Sequence, residues 1–188
     1  MTRWKPDARG RLMHAAMDLY GERGFDNTTV AAIAERAGLT ERTFFRHFAD
    51  KREVLFWGSE ELEALIVTEV RAAPESAAAL DAVAAALDAA AATAFEGRRE
   101  QVTRRQQIIV AHPELQEREL IKLQNLAGAI KAALVERGVS ANAAILASQA
   151  GVTVFHVGFA HWVEQDDPTA LPRLIDESLD DLRSLTAA

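Results

Sequence analysis

The chain has no cysteine among its 188 residues. Disulfide staples and thiolate metal centres are therefore excluded, and a reducing cytoplasm is the expected location. It also lacks alternating, β-branched runs bounded by turns, so no sheet is expected. No uninterrupted apolar run approaches the roughly 18 residues of a membrane span. The longest apolar stretches are alanine-rich and broken by Asp81 and Asp88. Met1 to Arg11 is polar and basic with no apolar run behind it, and no signal peptide is read there. Catalytic signatures are missing too. The five histidines, His14, His47, His112, His156 and His161, form no H-E-x-x-H or other zinc spacing. There is no G-x-S-x-G elbow, P-loop or G-x-G-x-x-G. No enzyme, metal or cofactor is expected, and a small helical metabolite-binding protein or enzyme stands as the alternative reading.

A basic excess is also lacking: the formal net charge is −7. The charge is unevenly spread. Residues 1–55 carry 10 Lys/Arg against 8 Asp/Glu, and the remainder carries 11 against 20. A mildly basic head on an acidic body suits a nucleic-acid-reading module whose body is kept off the phosphates.

What is present is helical periodicity. Leu12, Ala15, Ala16, Leu19 and Tyr20 form the stripe of an amphipathic helix stopped at Gly24. Thr28 and Thr29 can cap a second helix running to Ala37, and Gly38 ends it. Thr40 caps a third, ending near Phe48. Asp50 can cap a fourth, continuous through Val54 and Val70 to Pro74. Further helices are expected over 76–95, 98–111, 114–137, 140–163 and 169–185. The fold class is all-α with about nine helices.

The second and third helices are separated by a short turn at Gly38, with the small Ala34 four residues earlier. A helix-turn-helix needs both, because the helices cross closely and the turn adopts a left-handed backbone. At about 100° per residue, Phe44 and Phe48 of the third helix face inward, and Arg42, Thr43, Arg46 and His47 face outward. Phe45 falls on the margin. Arginine can donate twice to guanine, and threonine can serve base edges or a thymine methyl. His47 and Lys51 can reach phosphates, as can the helix N-terminus at Thr29. Thr28 is grouped with Thr29 in this set. A helical hairpin with a solvated charged face is the alternative use of the same residues.

Residues 11–55 resemble the DNA-binding domain of the TetR family of transcriptional regulators. The matching residues are Ala15-Ala16, Leu19-Tyr20, Gly24-Phe25, Thr28-Thr29-Val30, Ile33-Ala34, Ala37-Gly38-Leu39, Thr43-Phe44-Phe45, His47-Phe48, Lys51 and Leu55. The resemblance implies a DNA-binding domain over 1–50 and an effector-binding and dimerisation domain over 51–188. It implies a homodimer on a palindromic double-stranded operator, usually a repressor released by a small-molecule effector; an activator would use the same module. Thr43, Phe45, Arg46 and His47 match positions that touch DNA. Thr29 and Lys51 match positions that hold the backbone, and Arg42 sits where the residue varies with operator. Family members usually carry Tyr at position 45, whose hydroxyl binds a phosphate; Phe45 lacks that group.

Beyond Leu55 the resemblance is one of architecture, with dimerisation through the last two helices. Ala147, Gly151, Val154, Gly158 and His161 recur at three- and four-residue spacing, a small-residue stripe that permits close helix approach, and Trp162 adds bulk beside it. Packing within one chain is the other use of that stripe. Gln149, Thr153 and His156 share a polar face that suits either an effector pocket or an interface. Trp57, Phe95, Gln106, Ile109, Val110 and His112 are further pocket candidates, from their helices' positions. Arg98, Arg99, Arg104 and Arg105 form the one dense basic cluster of the acidic body.

Overall fold

A computed structural model describes residues 7–164 and 170–186. Among these are nine α-helices and no strand: α1 Ala8–Arg23, α2 Val30–Arg36, α3 Glu41–His47, α4 Ser59–Ala72, α5 Ala79–Ala94, α6 Arg99–Val110, α7 Pro113–Glu136, α8 Ala141–Glu164 and α9 Leu171–Thr186. A 3-10 turn, Glu53–Phe56, lies between α3 and α4. Asp167 and Pro168, which punctuate the sequence between the last two expected helices, lie outside the described residues.

Local chemistry sets the first three helices. Asp7 caps α1, its Oδ1 accepting the Gly10 N–H at 2.7 Å. The Thr29 and Thr40 hydroxyls accept the Ala32 and Thr43 N–H groups, each at 3.2 Å. These bonds satisfy donors that a helix start leaves unpaired. Gly38 takes a φ of 63° between α2 and α3, and the Leu39 N–H returns to the Ala34 carbonyl at 2.8 Å. Arg11 of α1 donates to the carbonyls of Ala37 and Gly38, closing the C-terminus of α2.

The fourth helix is not continuous. Asp50 Oδ1 accepts the Arg52 and Glu53 N–H groups at 2.8 and 3.1 Å, so it caps the short 3-10 turn. Gly58 then takes a φ of 91°, and α4 starts afresh at Ser59. The apolar positions on both sides of the break share one period, which hides it in the sequence.

Two clusters of buried side chains form. The first holds Leu12, Leu19, Ile33 and Phe44, continues into Val54, Leu55 and Phe56, and takes in Ile109 and Leu115 from the α6–α7 corner. The second joins α4, α5, α7, α8 and α9 through residues such as Ile66, Leu87, Ile130, Phe155 and Ile175. α8 is long and apolar enough by length and composition to cross a membrane, contrary to the expectation that no segment is; much of it is buried in this second cluster.

The stripe on α8 is spent inside the chain. A Cβ at Gly151 would come within 2.3 Å of Val83 Cγ1 on α5. One at Gly158 would stand 3.0 Å from the backbone of Leu174 and Ile175 on α9. Ala147, Val154 and Trp162 are buried in the same cluster, while His161 is exposed. Ala147, Gly151, Val154, Gly158 and Trp162 therefore do not present a free dimer surface; they let α5 and α9 approach α8 closely.

Candidate nucleic-acid interface and effector cavity

α3 separates its faces. Phe44 is fully buried, and Phe48 nearly so. Arg42 and Arg46 are exposed, and among the described residues neither has a carboxylate partner. Three other cations of this domain are committed: Arg36 to Glu22 at 2.7 Å, Arg52 to Asp50 at 2.7 Å, and Arg11 to the carbonyls of α2. Arg36 holds the Glu22 carboxyl below its usual range, and Arg52 does the same for Asp50 against a partial burial that opposes it. Two free guanidinium groups thus project from a helix capped at Thr40. Phe45 is 56 % exposed, its ring edge-on to Phe44 at 5.5 Å. Thr43 is half-buried, its hydroxyl 3.0 Å from that of Thr40. Thr29 is exposed at the start of α2.

Three expected contacts stand elsewhere. Thr28 is 1 % exposed, and its hydroxyl donates inward to the carbonyls of Gly24 at 2.8 Å and Leu19 at 3.3 Å. It pins the α1–α2 turn and has no hydroxyl left for DNA. Lys51 Nζ donates to Phe25 O at 2.7 Å, Thr28 O at 3.0 Å and Asp26 O at 3.3 Å. It also sits 4.4 Å from the Phe25 ring centroid, a cation–π contact. An ammonium has three donors, so in this arrangement Lys51 holds protein carbonyls and not phosphate. His47 is half-buried and turns inward. Its Nε2 has neither solvent nor a hydrogen-bond partner, beside a small cavity of about 110 Å³ lined also by Arg9, Glu53, Trp57 and Lys122. No sign of the Lys51 clamp is legible in the sequence, since its acceptors lie 23 to 26 residues away.

A second cavity, of about 860 Å³, opens between the two buried clusters. Met13, His14 and Met17 of α1 form one wall, and Leu55, Phe56, Trp57 and Leu62 a second. Phe95, Phe155, His156 and Phe159 form an aromatic wall, and Arg98, Val102, Arg104, Arg105, Lys122 and Leu123 complete the lining from α6 and α7. The volume lies in the range of small-molecule sites, which are mostly apolar with few fixed polar groups. Of the expected pocket residues, Trp57, Phe95 and His156 line it. Gln106 stands behind the wall, its amide donating to Glu119 at 3.1 Å. Ile109 is fully buried in the first cluster, and Val110 is 60 % exposed outside. His112 lies edge-on to Phe25 at 5.0 Å, with Nδ1 2.7 Å from Ile108 O. Gln149 and Thr153 occupy the exposed outer face of α8. Gln106, Ile109, Val110 and His112 are expected from helix position, which does not give the facing direction, and the face that Gln149 and Thr153 share lies outside the cavity lining.

The cavity floor is electrostatically tied to the helix-turn-helix. Arg105 donates to the carbonyl of Leu55, lies over the Phe56 ring at 5.2 Å and pairs with Glu119 at 3.2 Å. Burial pulls its pKa below the usual guanidinium range, and Glu119 resists that shift. Arg118 and Lys122 both reach Glu53. These partly buried contacts join α6 and α7 to the 3-10 turn.

Comparison with known proteins follows the same division. Residues 12–56 match the family model of bacterial regulatory proteins, tetR family. The HTH-type transcriptional regulator TcmR of Streptomyces glaucescens is 40 % identical over 70 residues, which span 36 % of this chain and 31 % of that protein. The matched segment is thus about a third of that relative's length. Among solved structures, Thermus thermophilus FadR, a TetR-family repressor in complex with lauroyl-CoA, superposes with a TM-score of 0.57 at 22 % identity, covering 96 % of this chain and 95 % of that one. Bacillus subtilis FadR in complex with stearoyl-CoA gives 0.61 at 20 % identity, covering 92 % and 96 %. The chain therefore carries the helix-turn-helix domain of the tetR family of bacterial regulatory proteins at residues 12–56, on an all-helical fold shared along almost its whole length with the two FadR structures.

Proposed function

We propose that the chain is a ligand-responsive transcriptional regulator that binds a palindromic operator as a homodimer and is released by a small-molecule effector. The observation that carries this reading is the exposed, unpaired pair Arg42 and Arg46 on a capped recognition helix within the family-matched segment. Arg46 and Arg42 read base edges, Thr43 and Phe45 lie beside them on sugar or methyl groups, and the N-terminus of α2 at Thr29 receives a phosphate. Lys51, Thr28 and His47 support this surface from behind.

Dimerisation uses the outer faces of α8 and α9. Leu146, Gln149, Thr153 and Val157 recur at three- and four-residue spacing and are exposed, and Leu146 is 64 % exposed. The effector occupies the large cavity. Its lining of aromatic and aliphatic side chains with a few cations fits an amphiphile, the chemistry of the acyl-CoA bound by the two FadR structures. Repression rests on the repressor relatives alone.

A gel shift of the DNA upstream of the chain's own gene tests the reading. A discrete, sequence-specific complex is expected at nanomolar protein, against roughly micromolar or weaker for unrelated DNA. Equal affinity for both DNAs would remove the regulator reading.

A further inference from the structure

Gly21 is a glycine inside a helix with no turn to make. α1 continues to Arg23, and Gly21 has no positive φ. Glycine in such a place weakens a helix. Its neighbour explains it. A Cβ on Gly21 would lie 1.7 Å from Nη2 of Arg104, 2.6 Å from its Cζ and 2.9 Å from its Nε. The guanidinium of an exposed α6 residue thus rests directly on the last turn of α1, over the bare backbone of the glycine. The same side chain lines the large cavity.

We propose that Arg104 receives the anionic group of an amphiphilic effector and, in doing so, leaves its seat on Gly21 and frees α1 from α6. This rests on the effector reading above. α6 supplies Arg104 and Arg105 to the cavity and no carboxylate, and Arg98 joins them from the residue just before the helix. Arg105 is committed to Leu55 and Glu119. Arg104 rests on Gly21 of α1. The lining carboxylates, Asp18, Glu60, Glu63 and Glu119, stand on α1, α4 and α7. An anion therefore finds its complement on the α6 wall, with its apolar body toward Phe95, Phe155 and Phe159. Closing around an anion in the cavity would draw the guanidinium off Gly21. The two arrangements therefore differ in effector affinity, as a switch requires.

The test uses the full chain, operator DNA selected from a random pool on the wild-type protein, and two fluorescent probes: anilinonaphthalene sulfonate, which is anionic, and N-phenylnaphthylamine, which is neutral. Arg104→Gln is expected to weaken the sulfonate probe roughly tenfold and to leave the neutral probe within about twofold. Gly21→Ala displaces only the flexible end of Arg104. It is expected to lower operator affinity without any ligand and to tighten the sulfonate probe, because the two ligands prefer opposite arrangements. Gly21→Ala with operator and sulfonate affinities both within about twofold of wild type would overturn the switch. Loss of both probes equally in Arg104→Gln would reduce Arg104 to a wall residue and overturn its anion role. If neither probe binds the wild type, the effector reading falls with its anion, and the operator affinity of Gly21→Ala still decides whether the seat controls α1.

Discussion

At the scale of single residues, similar cations have different work. Arg46 is exposed without a carboxylate partner, whereas Lys51 has all three donors on carbonyls of the α1–α2 turn. Arg46→Ala should weaken specific operator binding by roughly 1–3 kcal/mol and relax preference at one base position, as read by competition gel shifts. A uniform loss across all sequences would make Arg46 a phosphate contact instead. Lys51→Met should lower folding stability by about 1.5–3 kcal/mol, the worth of hydrogen bonds to a charged group, as measured by urea unfolding. Unchanged stability with lost DNA affinity would return Lys51 to the phosphate role that its sequence position suggested. The caps at Thr29 and Thr40 were legible in the sequence because a cap joins residues three apart. The Lys51 clamp was not, because its acceptors lie 23 to 26 residues away.

At the scale of elements, helix existence was legible and helix facing was not. Periodicity located nine helices, and the turn at Gly38 followed from its left-handed backbone. The break at Gly58 was hidden by an apolar period that runs through it. On α8 the small-residue stripe was legible, but its partners were not, since Val83 and Leu174 are brought to it only by the folded bundle. The α5–α9 contact also carries an electrostatic cost. Burial, and then the nearby Asp176 carboxylate, raise the Asp88 pKa to about 6, and Asp88 Oδ1 is buried with no hydrogen-bond partner. An unfolded Asp titrates near 3.9. The folded state therefore holds this proton more tightly, so its stabilising contribution is complete below about pH 4 and is lost as pH rises through about 6. Asp88→Asn should remove that slope and stabilise the chain at neutral pH by roughly 1 kcal/mol after solvent screening. Thermal unfolding across pH 4 to 7 checks it; an unaltered slope in the variant would contradict it.

At the scale of the whole molecule, the cavity lies where the helix-turn-helix meets the body, so a ligand there touches α1 and the 3-10 turn as well as α8. This junction was not legible in the sequence, because three distant segments build it. The dimer reading moves outward from the buried stripe to the exposed Leu146 side of α8. Leu146→Glu should give a folded monomer in sedimentation equilibrium with sharply reduced operator affinity; a persisting dimer would place the interface elsewhere. Symmetry then governs the DNA. Two recognition helices related by a twofold axis fit successive major grooves about 34–36 Å apart. With a net charge of −7 and only a small basic excess over residues 1–55, the proposed dimer would bring two weakly basic modules to DNA together. The most direct measurement is a footprint of the wild-type chain on the DNA upstream of its gene. The account predicts two inverted half-sites, centred about one helical turn or a small multiple apart and protected together. Protection of a single half-site by a monomer, or none, would contradict it.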